Sequence, residues 1–161
     1  MITFLPYKSM VKSAEVLDNE RLGQQRYDAA KILEILTQRQ IIPGRQRPLR
    51  GFDYTLKMWE RHPAVQMWTG HEEWLKLYLA CVIGEWKYRG YSNTLDVPVY
   101  DAHSQSPPAW LGYEEFHKSH RSNLIRRAPG LYAKYWPEED RDLLYFWPTL
   151  NGFDITHKEA A

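Results

Sequence analysis

The sequence predicts an all-α fold: a single compact domain of about four to six helices with long irregular connections. Three observations point there. Apolar residues recur three and four apart in the segments 19–40 and 71–89. Prolines and glycines between 43 and 51, at 98, 107 and 108, and at 129–130 break the chain into segments. No repeat, low-complexity tract or convincing β-hairpin is evident. With 161 residues, 43% of them apolar, the chain is long enough for one real core and too apolar for disorder.

The domain is expected to span residues 1–161, with an N-terminal arm over 1–12 and a polar C-terminal tail over 152–161. The arm is extended near Pro6, because proline restricts the residue before it. Asp18 or Asn19 caps a first helix running from about Asn19 to Gln40, with Ala29, Ile32, Leu33 and Leu36 facing the core. Gly23 weakens that helix by about 1 kcal/mol relative to alanine. It either lets something approach closely or is a small residue where two helices cross. Pro43, Gly44, Pro48 and Gly51 make a loop rich in arginine, and a short helix follows from about Asp53 to Glu60. HPAVQMW, from His62, begins a helical turn. The clearest helix covers His71 to Arg89, with Trp74, Leu77, Tyr78, Cys81, Val82 and Trp86 as its buried stripe and Gly90 at the stop. A further helix covers Tyr113 to Arg127, and a short piece covers Leu131 to Tyr135. An acidic turn, the aromatic run LLYFWP and the tail complete the chain.

Net charge is only +1, yet the charges are segregated. Six basic residues lie between Arg39 and Arg61, and five between Lys118 and Lys134, where no acid occurs. A neutral total can therefore hide a basic face, or these residues are solvated helix surfaces. Seven tryptophans and eleven tyrosines exceed the needs of a bare core, so some rings either pack in large units or stack on something flat. The single Cys81 cannot form an internal disulfide and fits a reducing compartment. With no signal peptide or apolar span, a cytoplasmic protein is expected.

No phosphate-cradling glycine loop is present and no metal site is expected: His117 and His120 can meet the same object, but a zinc site lacks its further ligands. No cofactor is expected. Arg121 is a forked donor suited to phosphate, Ser122 can donate to phosphate, and Asn123 can pair with a base edge or hold backbone. Arg126 and Arg127 continue that surface, and Arg45 and Arg47 lie on the arginine-rich loop. His62 and His120 titrate near neutrality when unperturbed and are candidate acids or bases. On the first helix, Arg21 and Gln25 are neighbours four apart, with Arg26 following. Asp18 and Glu20 at the helix start either favour the dipole or transfer protons.

The order of AEVLDNERLGQQR, of HPAVQMW with a helix ending VIGEWKYRGY, and of SHRSNLIRR with LYAKYW resembles the pyrimidine-dimer DNA glycosylase (phage endonuclease V) family. The likeness covers about residues 3 to 137. The TFLPY and RLGQQR openings resemble its bacterial branch more closely. The resemblance implies a compact helical monomer that binds double-stranded, damaged DNA, and no membrane. It implies a glycosylase whose N-terminal amine attacks the sugar C1′ and forms a Schiff base, with AP-lyase action by β-elimination. Arg21 and Arg26 match arginines that flank the family's catalytic glutamate, and Arg121 matches a later basic residue. Two positions depart from the pattern. Ile2 is bulky, which methionine aminopeptidases do not generally accept, so the amine is that of Met1. The glutamate position falls on Gly23 or Leu22, which leaves Glu20 or Asp18 of the preceding turn to serve as the acid. Two alternatives remain open: a non-catalytic nucleic-acid-binding module, and a nucleotide-directed enzyme on the same scaffold with His62, His120 and Glu20 in its pocket.

Overall fold

The computed structural model describes residues 2–37, 41, 59–149 and 152–154. Over these residues the chain is helical, as the periodicity predicts. In order it forms α1 (Met10–Val16), α2 (Asn19–Thr37), α3 (Pro63–Gln66), α4 (Glu72–Tyr88), α5 (Glu114–Arg127) and α6 (Pro129–Tyr132), with a 3-10 turn at Ala102–Ser104. The long helices begin close to their expected starts. The expected end of the first helix at Gln40 and most of the short helix from Asp53 lie outside the described residues.

Three expectations are corrected. The arm expected over 1–12 gives way to a helix at Met10, where Ser9 caps α1 by accepting from Lys12 N at 3.2 Å. A hairpin, not evident in the sequence, closes the aromatic run. Trp147–Thr149 (β1) pairs antiparallel with Gly152–Asp154 (β2), with Trp147 opposite Asp154. Asn151-Gly152, a favoured hairpin dipeptide, was the available signal. The buried stripe of α4 is Leu75, Tyr78, Leu79, Val82 and Ile83, whereas Trp74, Leu77, Cys81 and Trp86 are only partly covered.

Helix α4 is the central support, packed against both α1 and α2, and the hairpin rests on α3. Arg89, just beyond α4, ties down the carbonyl end of α1. Its guanidinium donates to Leu17 O at 2.7 Å and Glu15 O at 2.9 Å, and Glu85 fixes its Nε at 2.7 Å. Carbonyls at a helix end lack intrahelical partners, and a forked cation satisfies several at once. Much of the aromatic surplus is core: Trp68 meets Trp110 edge-on at 4.9 Å, and Trp110 packs on Phe116 at 4.9 Å.

The innermost element is the arm. Residues 2–6 are buried throughout, Leu5 completely. An extended segment in a core must find partners for its peptide groups, and the surrounding side chains supply them. Phe4 N donates to Gln25 Oε1 at 2.7 Å, and the Tyr78 hydroxyl lies 2.7 Å from that same oxygen and 3.1 Å from Phe4 O. Trp68 Nε1 donates to Thr3 Oγ1 at 3.0 Å. Two histidines of α5 take the two ends of one residue: His117 Nδ1 donates to Leu5 O at 2.7 Å, and His120 Nδ1 accepts from Leu5 N at 3.3 Å. The tautomers follow, because His117 Nε2 is itself an acceptor from Gly112 N at 3.0 Å. His117 carries its proton on Nδ1, and His120 carries it on Nε2.

Gly23 admits a close approach. A Cβ built there would lie 3.2 Å from the Trp86 ring. That ring has little room to retreat, being stacked on Tyr91 at 4.2 Å and bonded through Nε1 to Ser92 O at 2.9 Å. Gly23→Val should therefore destabilise the fold by about 1–3 kcal/mol through overpacking, read as a lower urea midpoint with an unchanged slope.

Burial, then the charges of His117 and Arg121, drive the His120 pKa down from 6.5 to about 3. The folded pKa is depressed, so the unfolded chain binds this proton first as the pH falls. The stabilisation is complete above pH 6.5 and is lost as the pH approaches 3. The thermal midpoint should drop across that window, and less steeply in His120→Gln, which retains an acceptor but does not titrate.

Candidate functional site

Helix α2 presents two faces to the arm and its surroundings. Gln25 is 1% exposed and holds Phe4 from below. Three residues on, Asp28 is half-buried, and its Oδ2 accepts from Ile2 N at 3.3 Å while its Oδ1 accepts from Gln24 Nε2 at 2.9 Å. The arm thus runs antiparallel to α2, residue 4 against 25 and residue 2 against 28, and Asp28 receives its first amide. Arg21, Gln24, Asp28 and Lys31 follow one another at helical spacing on this accessible side of α2.

Beyond Asp28 the site gains a cation and two rings. Lys31 Nζ lies 3.9 Å from the centroid of the Trp59 ring, a cation–π contact. Trp59 is 5.5 Å from His62, centroid to centroid. His62 heads α3, where its Nδ1 accepts from Ala64 N at 3.1 Å. Its pKa is held below the ordinary value by burial first, then by the positive charge of the chain's N-terminus, with Asp28 opposing and Lys31 assisting. An acid, a cation, a neutral imidazole and an indole therefore gather around the start of the arm.

The other candidates take different places. Asp18 caps α2 by accepting from Glu20 N at 3.1 Å and Arg21 N at 3.2 Å. It also pairs with Arg21 Nη1 at 2.8 Å and accepts from the Tyr132 hydroxyl. Burial opposes its ionisation, but the bonds from Tyr132 and Arg21 outweigh burial and hold its carboxyl below the usual range. Glu20 is exposed in the first turn of α2. Arg26 is 6% exposed, lies 4.0 Å above the Trp86 ring and donates to Asn93 Oδ1 at 2.9 Å. Burial lowers its pKa. Met1, Arg45 and Arg47 lie outside the described residues.

The SHRSN run is interior rather than surface. His120 is 1% exposed, Arg121 8%, and Ser122 and Asn123 are fully buried. Arg121 donates to Pro6 O at 2.9 Å and pairs with Glu139 and Glu114. Ser122 Oγ accepts from Leu143 N at 3.0 Å, and Asn123 donates to Ser119 O at 2.8 Å. Arg126 is exposed at its residue surface but donates to Leu143 O at 3.2 Å and to Asn123. Arg127 is exposed at the end of α5. These side chains fasten the arm and the segment 143–146 to α5.

A concavity of about 240 Å³ lies between the end of α1 and α6, lined among others by Asp18, Arg89, Tyr132, Lys134 and Tyr135. Arg89 there is spent on α1, and Asp18 on its own helix. Among the described residues, no helix is long and apolar enough to cross a membrane.

Sequence reasoning missed Asp28. The signal was its position three residues after Gln25 on the helix that receives the arm, rather than any motif.

A family model described as pyrimidine dimer DNA glycosylase matches residues 1–99, which takes in the arm, α1, α2, α3 and α4. No curated protein and no solved structure matches the chain.

Proposed function

The chain belongs to the pyrimidine dimer DNA glycosylase family, and we propose that it cuts the glycosidic bond of one pyrimidine of a cyclobutane dimer in duplex DNA with an amine and a carboxylate at the start of its arm. The TFLPY and RLGQQR openings favour the family's bacterial branch. The observation that carries the reading is the 3.3 Å hydrogen bond from Ile2 N to Asp28. It sets a carboxylate one residue from the Met1 amine, on the most tightly held segment of the fold.

The chemistry follows from those two groups. An α-amine has an ordinary pKa of about 7.7, so a useful fraction is neutral at physiological pH. The neutral amine attacks C1′, the C1′–N bond breaks, and its electron pair leaves with the base. Asp28 takes the proton that the new C–N bond releases. The C1′–O4′ bond then opens, O4′ taking a proton, to give the imine, and loss of a C2′ proton permits β-elimination of the 3′ phosphate, which cuts the strand. Asp28 fills the role of the family's glutamate, in place of Glu20 and Asp18. Asp18 is committed to its cap, and Glu20 lies eight residues earlier, about 12 Å along the helix. Arg21, Gln24 and Lys31 flank Asp28 on the face that DNA would approach, with Arg126 and Arg127 as further phosphate contacts. Gln25, His120, Arg121, Ser122 and Asn123 act as positioning residues that hold the arm and its surroundings. Extruding a base costs a few kcal/mol, least at a damaged site.

Borohydride trapping tests the reading. The protein is incubated with duplexes bearing a thymine dimer, no lesion or an abasic site, and adducts are read by intact mass. A dimer-dependent adduct on the N-terminal residue is expected. Glycosidic cleavage without an adduct, read as free thymine after photoreversal of the dimer, would replace the amine by water, and neither adduct nor cleavage would overturn the assignment. Asp28→Asn should slow glycosidic cleavage by about 10²–10⁴-fold with duplex affinity retained, whereas Glu20→Gln should change it little.

A further inference from the structure

The amine and the carboxylate account for attack on the sugar but supply nothing to the base that departs. His62 heads α3 where the charges of the chain's N-terminus and of Asp28 both reach its ring, and among the described residues its engaged nitrogen is Nδ1. Pro63 occupies the first position of α3 and has no N–H, so the capping side chain serves the next donor, and His62 Nδ1 accepts from Ala64 N at 3.1 Å. A nitrogen that accepts carries no proton, so the neutral ring holds its proton on Nε2.

The ring's surroundings fix its direction and keep it neutral. It is tilted 39° against Trp59 at 5.5 Å and meets Trp147 edge-on at 6.3 Å. Trp59 in turn carries Lys31 on its ring at 3.9 Å, one helical turn along α2 from Asp28. The charges that bear on the imidazole are the chain's N-terminus, Asp28 and Lys31, and burial outweighs them all in favouring the uncharged form.

We propose that His62 is a catalytic donor whose Nε2–H hydrogen-bonds an acceptor atom of the leaving base as the glycosidic bond breaks. This role rests on the base-removal reading above. The C1′–N electron pair passes into the base and places negative charge on its carbonyl oxygens and ring nitrogens. A fixed N–H aimed at one of those atoms stabilises that charge in the transition state more than in the bound substrate. His62 keeps its proton, and the departing anion takes one from water. A neutral donor suits this task, because it neither repels the attacking amine's developing positive charge nor needs charging beforehand.

His62→Asn separates this role from a structural one. Asparagine is a favoured helix cap whose Oδ1 can accept from Ala64 N, but it places no donor where Nε2 stands. Thermal midpoint, affinity for a thymine-dimer duplex, single-turnover cleavage of the glycosidic bond in that duplex (read as free thymine after photoreversal), and strand scission at an abasic duplex are compared with wild type. We expect the midpoint and affinity to be retained and glycosidic cleavage to fall by about 10²–10³-fold. Scission of the abasic duplex, which has no base to release, should fall far less. Equal losses on both duplexes, or no loss on either, would overturn the proposal while leaving base removal intact. If the asparagine variant loses its fold, His62→Asp, which also caps, carries the same comparison. A wild type that cuts no glycosidic bond in the dimer sinks the parent reading, and this one with it.

Discussion

The structure depends on how the peptide groups of residues 2–6 are satisfied. An extended strand usually enters a core beside another strand, which pairs its amides and carbonyls. Here no strand adjoins it among the described residues, and side chains from three helices do the pairing. Gln25 comes from α2, Tyr78 from α4, and His117, His120 and Arg121 from α5. Each buried polar group would cost a few kcal/mol if left unpaired. The arrangement is therefore cooperative: α2, α4 and α5 are coupled through a backbone they all hold.

That coupling explains the character of α5. Its residues His117, Ser119, His120, Arg121, Ser122 and Asn123 are polar and buried together, the reverse of an ordinary core helix. Its neighbours are extended backbones, the arm on one side and 143–146 on the other, and extended backbones need donors and acceptors rather than methyl groups. The family match ends before this helix. The matched part contains the arm and α2, and the remainder contributes the clamp that holds the arm.

Much of the architecture was legible in the sequence. Periodicity located α2 and α4, because each buries a stripe at helical spacing. Gly23, left open between a close approach and a helix crossing, lies where α2 crosses α4 against Trp86, and His117 and His120 do meet one object, the Leu5 backbone. The SHRSN run was harder to place. Arginine, serine and asparagine on a helix have the same composition whether they face water or a buried backbone, and only tertiary neighbours separate the two. The hairpin at 147–154 is too short for alternation to register. Asp28 was invisible because a motif search asks which residue type falls at a position. The site is set instead by which α2 residue the incoming arm reaches.

The arm also has a temporal meaning. Leu5 waits for partners 112 and 115 residues away along the chain. Contacts of such separation close a long loop before they return any stabilisation, so they form late. The segment that begins the polypeptide, and that holds the chemistry proposed for it, cannot take its final position until α5 has emerged and folded. In a growing or refolding chain the arm's amides should gain protection from solvent exchange in the last phase, together with those of α5, while α2 and α4 are already paired. Chemical competence and completion of the fold would then arrive in one step, and a partly folded chain would carry no misplaced nucleophile.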